Sequence, residues 1–308
     1  MELRQLECFV AVVDEGGFTA AAARLHVVQS TVSATIAALE RDLGTALLVR
    51  TTRRVVLTEA GTELLPQARR VLDSARDARD SVHAVHGGLQ GTLRIGTMSS
   101  LGLIDLPALL GAFHRGYPAV RIGLMTSGSG SPGLVAELVA GRLDAAFVSL
   151  PGPISAAVSL RHLASTPLDL VVPREHRLAE RSEVTPAELA DESFIDFPRG
   201  YGNREITERA FAAAGIQRHV AIEITDIEAG ADFVRQRLGV ALLPRSVVAL
   251  DDELTAIPVA GFDLDWPISL AMPQARTVGA AARAFERLVL RYAAEDGAES
   301  RPITGGVI

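Results

Sequence analysis

The chain has 308 residues, 48% of them hydrophobic, enough for about two ordinary domains whose cores need no staple. A formal charge of −7 excludes polyanion binding by bulk charge alone, and a single cysteine excludes an intramolecular disulfide. Charges at Glu2, Arg4 and Glu7, and the Pro151-Gly152-Pro153 break in the longest uncharged run (145–160), exclude an export signal and a membrane span, so a soluble, cytoplasmic protein with no membrane contact is expected.

Leu3, Leu6, Phe9, Val10 and Val13 have helical spacing, and Cys8 falls among them as a core thiol rather than a redox sensor. After Gly16-Gly17, residues 18–40 read as two short helices joined by a tight turn. The first is Ala-rich, from Thr19 to Leu25 with Thr19 as N-cap; the second runs from Gln29 to about Glu40. Val32, Ile36 and Leu39 turn the second helix toward a core. Gln29, Ser30, Thr31, Ser33, Ala34 and Thr35 then point outward or sideways, and such small or amide side chains suit base edges and phosphates at the start of a recognition helix. A helical hairpin that merely packs fits the same residues. The next stretch separates the two readings: apolar Leu47, Leu48 and Val49, a basic turn with Arg50, Arg53 and Arg54, then the strand-like Val55-Val56-Leu57. A hairpin with a basic tip is a wing able to reach phosphates or a minor groove.

With these residues the first sixty or so positions resemble the winged helix-turn-helix of LysR-type transcriptional regulators. The match lies in FxAAAxxLHVxQ (18–29), Ser33, IxxLExxLGxxL (36–47), Arg50 at the wing entry and LTxAG (57–61). The resemblance implies an α/β protein with an N-terminal all-α-plus-wing domain, a linker helix and a two-subdomain effector domain like periplasmic solute-binding proteins. It also implies a homodimer or homotetramer on double-stranded DNA at an interrupted palindrome, a small-molecule effector that changes the angle between dimers, and contact with RNA polymerase. Four positions depart from the family pattern, which has Ser at Val28, Pro at Ser30, Arg at Ala34 and Phe at Leu48. Val28 is a poor N-cap, leaving the helix weakly capped or starting later on Ser30, and Ala34 cannot contact guanine as Arg does.

Residues 1–90 hold ten Arg against eleven acidic residues, so the DNA-binding part is not basic overall. Its Arg gather at the wing, while Glu2, Glu7, Asp14 and Glu15 lie on and just after the first helix. From Thr58, as N-cap, an amphipathic helix carries Leu64/Leu65, Ala68, Val71/Leu72, Ala75, Ala78, Val82 and Val85 at spacings of three and four, to Gly87-Gly88. Its seam needs a partner, and Leu64, Val71, Leu72 and Val82 are assigned to self-association. His83 and His86 lack further ligands and read as surface residues, so no metal is expected.

From Gly91 strands alternate with helices, an α/β pattern with mostly parallel sheets. The domains read as 1–58 (winged helix), 59–88 (linker helix) and 91–296 (effector domain), with a tail at 297–308. By family layout the effector domain divides into subdomain I, 91–164 with 267–296, and subdomain II, 165–266. Gly128, Gly130 and Gly133 match the dinucleotide-binding G-x-G-x-x-G, but Val148, Ser149 and Leu150 stand where its acidic residue belongs, so a flexible loop at a cleft is preferred and no cofactor is expected. No nucleophile elbow, HExxH or Walker loop occurs, and nothing asks for an enzyme.

Ser99-Ser100 and Thr126-Ser127 end strands just before helices, where open α/β sheets bind ligands. The effector cleft is accordingly assigned to Ser99, Ser100, Thr126, Ser127, Ser149, Phe197 and Thr225, with Arg199, Arg204 and Tyr201 in the loop beside it. Hydroxyls at helix starts and the two Arg point to a small carboxylate. Arg237 replaces a family Gly and either intrudes on the cleft or faces solvent. Three readings fit: a ligand-responsive transcription factor, an α/β enzyme whose helix-turn-helix only packs, or a solute-binding module, the last requiring an export signal. The first is the one the winged N-terminus favours.

Overall fold

The computed structural model describes residues 1–50, 55–99, 101, 104–152, 156–249, 251–274 and 278–296. Its contacts divide the chain into two units, Met1–Gly88 and Leu89–Ile308.

In the first unit, helices α1 (Leu3–Asp14), α2 (Phe18–Arg24) and α3 (Gln29–Leu43) enclose a core of Leu6, Phe9, Val12, Ala21, Val32, Ile36, Leu39 and Leu47. Phe18 is buried in this core and is already helical, so α2 opens on Gly17 and Thr19 is not its N-cap. Helix α3 opens on Val28 with no side-chain cap, so Ser30 does not cap it; it ends where Gly44 turns left-handed (φ 70°) and sends its N–H to Glu40 O. The Glu40 side chain also organises the segment after α3, its Oε1 accepting from the N–H groups of Leu47 (2.8 Å) and Leu48 (3.2 Å). These bonds set the entry of β1 (Leu48–Arg50), which pairs antiparallel with β2 (Val55–Leu57) to form the wing stem.

Thr58 caps α4 (Glu59–Gly87) as expected, its Oγ1 accepting from the Gly61 N–H (3.0 Å) and donating to Ala46 O (2.7 Å). A Cβ on Gly61 would collide with the Leu47 carbonyl and come within 2.9 Å of Leu57 Cδ2, so this position admits only glycine. The first half of α4 is part of the same core: Ala68 is buried, Leu64, Leu65 and Leu72 pack against the cluster, and buried Arg69 pairs with Asp14. Asp14 and Glu15 also meet Arg24, at 3.3 and 3.1 Å. The apolar seam therefore does not wait as a whole for a second subunit. Leu64 and Leu72 have an intrachain role that the spacing alone did not reveal.

The second unit runs β3 (Gly91–Thr97), α5 (Leu106–Gly116), β4 (Val120–Thr126), α6 (Gly130–Val139), β5 (Ala145–Val148), β6 (Val158–Pro173), β7 (Ser193–Asp196), α7 (Gly202–Ala213), β8 (His219–Glu223), α8 (Ile227–Arg235), β9 (Ala241–Pro244), β10 (Leu254–Ile257), β11 (Asp265–Pro273) and α9 (Ala280–Asp296). The main sheet has the order β10-β6-β11-β5-β3-β4, with β9 also on β6. It is mixed rather than mostly parallel: β3 runs parallel to β4 and β5, while the β5–β11, β11–β6, β6–β10 and β6–β9 ladders are antiparallel. The reversal comes from β6 and β11, which cross between the two halves in opposite directions. The apolar runs on either side of Pro167 form one continuous strand, β6. Its Val158–Pro167 part pairs with β11 and its Leu168–Pro173 part with β9 and β10, so Pro167, which lacks an N–H, sits where the partners change.

Helix α6 begins at Gly130 and tolerates Pro132 in its first turn, where a missing N–H breaks no helical bond. Arg237 lies just past α8 in a left-handed conformation (φ 60°) and meets Glu175 at the surface (3.2 Å), which places it in solvent rather than in the cleft.

Replacing Gly61 by Ala should destabilise the first unit by about 1–3 kcal/mol, because the methyl group meets backbone that cannot yield. Hydrogen exchange of the full chain checks this: amides of α1–α3 should exchange faster while those of β3 and β5 keep their rates.

Candidate functional site

On the first unit the outer face of α3 is set by what its inner face buries. With Val32, Ile36 and Leu39 in the core, Gln29, Ser30, Thr31 and Ala34 are exposed together at the helix start, and Ser33 is half-buried beside them. Val28, 67% exposed, adds an apolar side chain to this surface. Thr35 is different: its hydroxyl donates to Thr31 O (2.8 Å) and contacts the Cys8 thiol, so it is engaged within the fold. Burial raises the Cys8 pKa, which keeps it a neutral core thiol. Arg50 closes β1; Arg53 and Arg54 lie outside the described residues. On α4, Val71 is 41% exposed, whereas the side chain of Val82 lies outside the described residues.

The second unit holds a cavity of about 180 Å³ between its halves. In the register of the parallel β3–β4 pair, Thr97 stands opposite Thr126, so the C-terminal ends of both strands open onto one place. Of the residues assigned from sequence, Ser99, Thr126, Ser127, Phe197, Tyr201 and Thr225 line the cavity. Ser99 Oγ donates to Thr225 O across it (3.0 Å), and the Phe197 and Tyr201 rings stack with centroids 6.0 Å apart. Met98, Leu134, Asn203, Ile227 and Trp266 also line it, as do Thr97 and Ser131, and none of these was anticipated. Ser100 lies outside the described residues.

Three assignments do not hold. Ser149 is 1% exposed and sits behind the wall: its N–H donates to Ser131 Oγ (2.9 Å), and a Cβ on Gly202 would touch its own Cβ at 2.6 Å. Arg199 has a side chain 84% exposed that leans toward Glu208 (3.7 Å). Arg204 is buried but engaged, donating to Phe197 O (3.0 Å) and to Glu208 (2.8 Å) and lying 3.4 Å from Asp196. Arg204 therefore braces the cleft wall and Arg199 faces solvent, and neither is turned toward a ligand. Their proximity in sequence gave no sign of direction.

The Gly-rich loop also has a packing explanation. Gly130 adopts φ 63°, and a Cβ there would press on Gly200 O at 3.0 Å and the Tyr201 ring at 3.1 Å, so glycine lets the two loops approach across the cleft.

Behind Phe197 lies a buried ion cluster centred on Asp196, which Arg218 meets at 2.5 Å while lying over the Phe194 and Phe211 rings. Burial raises the Asp196 pKa and lowers that of Arg218, so each charge depends on the other to be tolerated inside. Arg218→Met should destabilise the second unit by about 3 kcal/mol, and adding Asp196→Leu should recover most of the loss. Thermal unfolding followed by the fluorescence of the sole tryptophan, Trp266, checks both variants.

Comparison with known proteins gives two matches that together span most of the chain. Residues 3–62 match the model described as bacterial regulatory helix-turn-helix protein, lysR family, and residues 86–294 match the LysR substrate binding domain. An uncharacterized HTH-type transcriptional regulator of Escherichia coli, YnfL, is 34% identical, covering 92% of this chain and 96% of the relative. The RuBisCO operon transcriptional regulator of Allochromatium vinosum is 30% identical, covering 96% and 97%. Among solved structures, a full-length OxyR variant from Pseudomonas aeruginosa superposes with a TM-score of 0.73 at 25% identity, covering 94% of this chain and 93% of that one. Full-length CbnR in complex with its target DNA superposes with a TM-score of 0.62 at 28% identity, covering 95% and 100%.

Proposed function

The chain belongs to the LysR family of ligand-responsive, DNA-binding transcriptional regulators, and on that premise we propose that it binds an interrupted palindrome as a homodimer or homotetramer. Gln29, Ser30, Thr31, Ser33 and Ala34 are its reading surface, and Arg50, Arg53 and Arg54 of the wing neutralise backbone or minor-groove charge. The observation that carries this reading is the joint exposure of Gln29, Ser30, Thr31 and Ala34 over a buried Val32, Ile36 and Leu39. A small molecule in the cleft of the second unit alters the assembly, and the output is a changed contact with RNA polymerase in the cytoplasm, with no chemical turnover. The carboxylate anticipated from Arg199 and Arg204 is without those two partners, so the other walls of the cavity select the ligand. Val71 and Ala78 are exposed residues of the α4 seam that self-association is proposed to cover.

Selection of bound sequences from a random DNA library, followed by gel shifts with the purified protein, tests the DNA reading. Gln29→Ala should relax the preference at one base pair by about 1–3 kcal/mol, as expected for loss of a bidentate contact, with little change on random DNA. Equal losses on selected and random DNA would remove Gln29 from the readout.

Val71→Asp tests assembly more cleanly than a change at Leu72, which packs on the intrachain core. A charge on the covered seam should shift sedimentation toward monomer and weaken operator binding while leaving the helical content intact. Sedimentation at the wild-type rate at micromolar concentration would place the interface elsewhere.

A further inference from the structure

We propose that Val28 is a sequence-reading residue, and that its side chain packs against the 5-methyl group of a thymine in the major groove of each half-site. This rests on reading α3 as the helix that enters the groove, and it names a base that the helix selects.

The turn before α3 is fixed from within the fold. The Leu25, His26 and Val27 N–H groups donate to Ala21 O (2.9 Å), Ala23 O (3.2 Å) and Ala22 O (3.0 Å), and His26 takes a left-handed conformation (φ 55°). Val27 packs on the core, and Val28 follows with extended backbone (φ −78°, ψ 149°), which carries its side chain away from that core. Val28 is thereby the most exposed large apolar residue among those described.

A lone exposed valine is ordinary on a protein surface. This one is the N-cap of a 15-residue helix, where a hydroxyl or carboxylate would bond a first-turn N–H, and α3 has no side-chain cap. Neither capping nor core packing accounts for a branched apolar group at this place, whereas contact with another surface does. The neighbours say which surface. Gln29, Ser30, Thr31 and Ala34 are exposed beside Val28, and residues 28–39 carry no charge. The tip of α3 therefore has no cation for phosphate, and it discriminates at short range by the Gln29 carboxamide, by hydroxyls and by apolar contact.

A helix entering the major groove by its N-terminus brings its N-cap residue to the base edges first. Of the four bases only thymine presents an apolar group there, its 5-methyl. Packing that methyl on the two valine methyls releases water from both sides. A cytosine amino group or a guanine carbonyl facing Val28 would lose its water and gain no partner, so the same contact rejects a G·C pair.

The full-length protein and the sequence selected from the random library test this by exchanging each thymine of a half-site for deoxyuridine, which keeps the base pair and removes the methyl. At one thymine per half-site the wild type should bind about fourfold more weakly, the equivalent of one methyl-sized group leaving an apolar contact. Val28→Ser and Val28→Asn, both favourable N-caps that keep α3 intact, should bind the thymine and deoxyuridine duplexes alike, while Val28→Ile should keep the difference. Absence of any thymine whose methyl matters, or an undiminished deoxyuridine penalty in both capping variants, would overturn the proposal while the Gln29 result still decides the DNA reading. A shift of Val28→Ser toward monomer in sedimentation, with its discrimination unchanged, would assign Val28 to self-association instead. Failure to select any sequence over random DNA would overturn the DNA reading and this inference together.

Discussion

The antiparallel ladder between β6 and β11 is the constraint from which the second unit takes its form. It pairs Val158–Pro167 with Asp265–Pro273, residues about a hundred positions apart, and both strands pass from one half to the other. Once they lie side by side, β5 has an edge to join through β11, and β9 and β10 have the far end of β6. The chain thus has two α/β halves with a shared spine. The cavity lies between them, walled by strand ends and helix starts of both halves and by Trp266 of the spine itself.

In the first unit most of the sequence signal survives because the motif residues make their contacts with one another inside the single segment 40–61. Glu40 holds the Leu47 and Leu48 N–H groups, Gly44 ends α3, Thr58 caps α4 on Gly61, and Gly61 clears the Leu47 carbonyl. Such local chemistry is what a motif encodes. The seam of α4 was harder to apportion, since the same three-and-four spacing serves a surface packed on α1 and one left for another chain. Leu64 and Leu72 show that periodicity locates a face without naming its partner.

In the second unit the hydroxyls at strand ends were legible for a topological reason: neighbouring parallel strands end together, so Thr97 and Thr126 are brought level by register. Trp266, Asn203 and Met98 were not legible, because an apolar strand run or a helix start does not say which of its side chains meets a void. Charge was misleading for a related cause. Arg199 and Arg204 are close to Phe197 in sequence, yet Asp196, Glu208 and the Phe197 carbonyl draw them behind or away from the wall. Sequence proximity supplies candidates, and the acidic residues packed nearby decide which way a guanidinium points.

A ligand shifts an equilibrium only through interactions that differ between its two states. Across the cleft the halves are joined by few polar contacts, Ser99 Oγ to Thr225 O (3.0 Å) and Tyr201 Oη to Gly128 O (3.5 Å), beside the close approach of Gly130 to Gly200. Each is a single bond between exposed or half-exposed groups, so together they set only a modest preference for the arrangement seen. A molecule in the cavity would touch both Trp266 on the spine and Tyr201 in the second half, two elements that these contacts join only indirectly. Its effect on the arrangement is then set by how differently those two walls hold it in each state.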